Sequence, residues 1–133
     1  MTAEMTVDAI RDVLDFWFDE ASKAHWFAPS PVFDQAVLRR LADLAARAAA
    51  GALDSWRATA EGCLALCILL DQAPRQLFRG HARAFATDEQ ALAVAEHALA
   101  QGFDRQLSLE QRQFLYLPFM HGESLESQRR CLE

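Results

Sequence analysis

The chain has 133 residues, 52% hydrophobic and 24% charged, and its 19 acidic side chains against 13 basic ones give a net charge of −6. That composition excludes a disordered chain and fits one domain over residues 1–133 with a sizeable core. The acidic balance excludes a generic nucleic-acid or anionic-membrane partner, which calls for a basic surface.

The N-terminus carries Glu4 and Asp8 and no basic, apolar leader. No apolar run reaches the ~20 residues that cross a bilayer, so a cytoplasmic protein is expected. A first helix is predicted from about Val7 to Phe18, capped by Thr6. Ile10, Val13, Leu14 and Trp17 recur at helical spacing on one face, and Asp8, Arg11, Asp12 and Asp15 take the other. The polar stretch from Asp19 to Ser30 reads as a loop pinned by Trp26 and Phe27. With Trp17 and Phe18 these rings predict a small aromatic cluster, by core packing more than by ligand stacking.

A second helix begins with Ser30 as cap, Pro31 in the first position and Asp34 at the favourable end of the dipole. Phe33, Val37, Leu41, Leu44 and Ala48 form its inner stripe, Asp43 and Arg47 its outer pair, and Gly51 its end. Trp56 is expected over the helix ends in the link that follows. A third helix, capped by Thr59, runs to about Leu70. It is apolar on every side from Gly62 to Leu70, so other helices should surround it. Cys63 and Cys67, four apart on it, read as reduced core thiols. Pro74 forbids simple continuation, and a short helical turn to Phe78 should stop at Gly80.

Thr87 to Gln90 reads as a capping box opening a fourth helix that ends at Gly102, and Ser108 to Gln111 repeats the device for a fifth. Pro118 should end or kink that helix. Phe119 to Glu123 should be a turn, with positive φ at Gly122 and with Ser124 capping a sixth helix. No stretch alternates with period two. The expected fold is all-α, in antiparallel helix pairs forming a superhelix or bundle of about six helices.

Several motifs then carry a resemblance. Leu14-Asp15-Phe16-Trp17-Phe18, Trp26-Phe27, Gly51-x-Leu53-x-x-Trp56, Leu70-Asp71-Gln72-x-Pro74-Arg75-x-x-Phe78-Arg79-Gly80, Ala84-Phe85-Ala86-Thr87-Asp88 and Pro118-Phe119-Met120-His121-x-Glu123 occur in one order. Together they resemble the bacterial family catalogued as domain of unknown function 924, from about Ile10 to the chain end. The resemblance implies a tetratricopeptide-like helical fold and no known activity. Gln76 stands where the family has Asn, and Gly122 where it has Ser. The chain stops at Glu133 where relatives continue, so a C-terminal truncation is expected, with open apolar surface that invites a homodimer.

Asp71, Gln72, Arg75, Arg79, His121 and Glu123 sit at helix ends beside very apolar sequence. A charge in such a place must pair. One reading is a hydrogen-bonded lock between helix ends. The other is a pocket in which the arginines hold a carboxylate or phosphate and His121 with Glu123 moves protons. A metal is not expected, because His121 and Glu123 offer two ligands at most. No cofactor motif is present. The sequence points to a helical interaction or small-ligand-binding module, its groove lined by Trp17, Trp26 and Arg79. The partner is then a protein, a peptide or a small anionic ligand. The alternative is a small hydrolase-like enzyme with His121 and Glu123 as acid and base.

Overall fold

The most apolar segment of the sequence becomes the centre of the molecule. The computed structural model describes the backbone of residues 3–28 and 30–132 and the side chains of 4–28 and 30–122. Helix α4 (Ala60–Cys67) passes through a π turn (Ile68–Gln72) into α5 (Ala73–Leu77). From Cys63 to Leu70 no residue is more than 3% exposed. A rod that is apolar all round needs neighbours on every side. Helices α1 (Ala3–Trp17), α6 (Asp88–Ala100) and α7 (Leu109–Leu132) pack on α4, and α3 (Pro31–Ala49) packs on the π turn and α5. The result is an all-α bundle, with no strand among the described residues. No described helix is long and apolar enough to cross a membrane.

Pro74 explains the π turn. It has no N–H to give the Leu70 carbonyl, and its ring crowds a regular helix. The chain widens instead, and the Ala73 N–H bonds back five residues to Ile68. The Leu70 carbonyl takes its hydrogen bond from the Thr87 hydroxyl at 2.5 Å. The Asp71 carbonyl accepts from the Arg75 guanidinium.

Three expected caps form. Ser30 accepts from the Phe33 N–H, Thr59 from the Gly62 N–H, and Ser108 and Gln111 cap each other reciprocally. Thr87 does not cap α6, because its hydroxyl is spent on Leu70; Gln90 reaches the Ala49 carbonyl instead. Helix α1 starts at Ala3, so Thr6 lies inside it. The loop after α1 holds a single helical turn, α2 (Glu20–Lys23). Trp26 pins that loop, with its indole N–H donating to the Trp17 carbonyl at 2.9 Å, while Phe27 stays 68% exposed.

The largest departure is at the C-terminal end. The expected fifth and sixth helices are one continuous α7, with Pro118 inside it and no turn at Phe119 to Glu123. Ser124 lies inside that helix and not at a start. Gly122 has ordinary helical backbone. Its small size serves packing: a Cβ there would lie 3.0 Å from Leu92 Cδ2 on α6. A stronger case is Gly62, where a Cβ would fall 1.9 Å from the Trp56 carbonyl oxygen. The 3₁₀ turn Asp54–Ala58 lies directly on α4 at that point, and Trp56 is 1% exposed.

Two predictions follow from this packing. Gly62→Ala should lower the unfolding free energy by about 3 kcal/mol, because backbone and not a movable side chain is in the way; urea denaturation measures it, and an unchanged midpoint would refute the close approach. Burial pushes the Cys63 thiol from 9.0 up to about 11 and the Cys67 thiol well above its ordinary value. Both should resist alkylation at pH 8 in the native protein and react in urea, as peptide mass mapping would read. The folded state holds the Cys63 proton more tightly than the unfolded state. Its contribution to stability is therefore full below about pH 9 and lost as pH rises towards 11.

Candidate functional site

The end of the rod delivers a carboxylate to the interior. Asp71 is 0% exposed. Its Oδ1 accepts from His121 Nδ1 at 2.7 Å and from Arg75 Nη1 at 3.2 Å, and its Oδ2 accepts from Gln72 Nε2 at 2.8 Å. Arg75, one turn further on, also forms a fork with Asp88 at the start of α6, with bonds of 3.0 and 3.1 Å. The Phe85 ring lies 5.3 Å from the same guanidinium. One buried acid thus ties α5, α6 and α7 together.

Arg79 takes a different partner. It forms a fork with Asp34 on α3 at 2.9 and 3.0 Å and donates to Gln76 at 2.5 Å. The Asp34 pair holds its pKa above the ordinary arginine value, so the charge is permanent. Arg75 and Arg79 nevertheless line one cleft of about 220 Å³, together with His121, Gln72 and Gln76. Its apolar wall includes Trp26, Phe27 and Leu117, and His25 also borders it.

Hydrogen-bond chemistry fixes what this cleft offers. A carboxylate can only accept, so Nδ1 of His121 carries a proton and the other ring nitrogen, Nε2, is left over. Nε2 has no partner among the described residues, and neither has Nη1 of Arg79 or Nε of Arg75. Charge is another matter. Asp34, Asp71 and Asp88 face two arginines, so the guanidinium charges are already matched. The cleft offers guanidinium N–H donors and one imidazole nitrogen more than a positive field.

Asp71, Asp88 and His121 place potential metal ligands within 4.8 Å of one another. Arg75 bonds both carboxylates, so a guanidinium already supplies the positive charge there.

The sequence-expected residues divide clearly. Arg75, Arg79, Gln72, His121 and Trp26 share the cleft, and Asp71 stands behind it. Trp17 does not line it. That ring is 0% exposed, packed 5.8 Å from Phe33 and 5.7 Å from Phe114. The Glu123 side chain lies outside the described residues. Asp88 and Asp34 were missed as site partners, since each reads from the sequence only as an acid in a first helical turn. His25 stacks on Phe33 with ring centroids 5.6 Å apart.

Residues 13–133 match the model of a family described as bacterial protein of unknown function, domain of unknown function 924. A solved structure of a protein of unknown function from Agrobacterium tumefaciens is 41% identical, with a TM-score of 0.85 over 94% of this chain and 70% of that one. No curated protein matches the chain.

Removing Arg75 takes the shared guanidinium from two carboxylates, one of them fully buried and left with only His121 and Gln72. Arg75→Ala should lower the unfolding free energy by about 3 kcal/mol. A melting temperature equal to the parent's would show that the network is not under load.

Proposed function

The chain belongs to the bacterial family domain of unknown function 924, and from the geometry of its cleft we propose that it is a small-ligand-binding module. The ligand is a small molecule bearing a carboxylate or similar oxyanion beside a planar or apolar group. The supporting observation is the buried Asp71, which orients His121 so that one imidazole nitrogen is left for the cleft. A ligand carboxylate meets unused N–H groups of Arg79 and Arg75, a ligand O–H or N–H beside it donates to Nε2 of His121, and Trp26 and Phe27 flank its apolar part. Arg79 is half exposed, and exposed ion pairs are worth little, so a ligand can compete with Asp34 at small loss.

The hydrolase reading finds less support. Among the described residues, no serine, cysteine, lysine or carboxylate lines the cleft. Among those residues, acid–base work would rest on His121 and His25, and a nucleophile would have to come with the substrate.

A thermal-shift screen of small carboxylates, followed by calorimetric titration, tests the reading. A binder should lose about tenfold in affinity with Arg79→Gln, roughly the worth of one charge-assisted hydrogen bond, and more with His121→Ala. Binding that both variants leave intact would place the ligand elsewhere.

A further inference from the structure

A second cavity of about 370 Å³ lies on the other side of α5. Residues Gln72, Arg75, Gln76 and Arg79 turn one way to line the polar cleft, while Pro74, Leu77 and Phe78 turn the other way. Facing them across the cavity, α3 contributes Ala42, Ala45, Ala46 and Ala49. Its size falls within the range of small-ligand sites, about 300–1,000 Å³. No acidic side chain lines it among the described residues. Its one charged lining group is Arg83, exposed at the edge, with the guanidinium 4.3 Å from the Phe78 ring centroid. Arg83 makes no ion pair among the described residues. Leu38, also at the edge, leaves half of its surface in water.

An oily trough with one cation at its lip has a definite complement. We propose that this cavity binds a straight-chain amphipathic carboxylate, the hydrocarbon tail lying between α3 and α5 and the headgroup on Arg83. The Thr87 hydroxyl does not compete, because it is already bonded to the Leu70 carbonyl. Apolar walls reward length: each methylene buried raises affinity about fourfold until the trough is full. The headgroup adds an ion pair with Arg83 that an alcohol of equal length cannot make.

Calorimetric titration with hexanoate, octanoate and decanoate, each below its micelle concentration, tests this directly, with acetate and decanol as references. The expected result is saturable binding that tightens with chain length, with decanoate ahead of decanol and acetate silent. Ala46 is exposed, so Ala46→Phe fills the trough without touching the core, and Ala49→Leu does the same from the next turn. Both should weaken decanoate more than tenfold. Arg83→Gln should weaken decanoate severalfold and leave decanol unchanged. Affinity that ignores chain length, survives both filling variants, or is equal for acid and alcohol would overturn the proposal.

Discussion

A carboxylate buried at the end of an oily helix must be neutralised where it stands, and in this protein that requirement organises three helices. Asp71 has no water to turn to. Its partners come from the π turn, α5 and α7, and Arg75 passes the link on to α6 through Asp88. Removing one partner leaves a buried charge without compensation, which is worse than never having placed the charge there. The network therefore fixes helix positions more than it adds stability. Its by-product is an imidazole held in one orientation at the edge of a cleft.

The backbone beneath it follows the same logic. Pro74 takes a donor away from the helix, and the π turn accommodates the loss by widening. Thr87 and Arg75 then satisfy the carbonyls of Leu70 and Asp71. The hydroxyl that would have capped α6 is used one element away. A local rule gives way to a buried carbonyl because an unpaired polar group inside costs more than a missing cap at a helix end.

Much of this was legible in the sequence. The all-round apolar stretch before Leu70 located the central rod, and the spacing of Asp71 and Arg75 located their pair. Ser30, Thr59 and Ser108 announced real helix starts because nothing else claims their hydroxyls. Thr87 also precedes a real helix start but makes no cap, since its competitor, the Leu70 carbonyl, is seventeen residues distant and visible only in three dimensions. Pro118 and Gly122 misled for a related reason. Both are helix breakers in isolation, yet α7 continues through them along α6, and Gly122 is small because Leu92 lies against it. Trp17 and Trp26 could not be separated by residue type. Only the packing sends one ring into the core and leaves the other on the cleft wall.

The π turn has one more consequence. A helix advances about 100° per residue, so one residue of extra length in a turn sets the angular phase of everything after it against everything before. Phase ahead of Ile68 is dictated by the core; phase beyond Gln72 decides which way Arg75 and Arg79 look. An unwidened helix through the same residues would leave the oily half in register and swing both guanidinium groups about a quarter of the way round the axis, off the cleft.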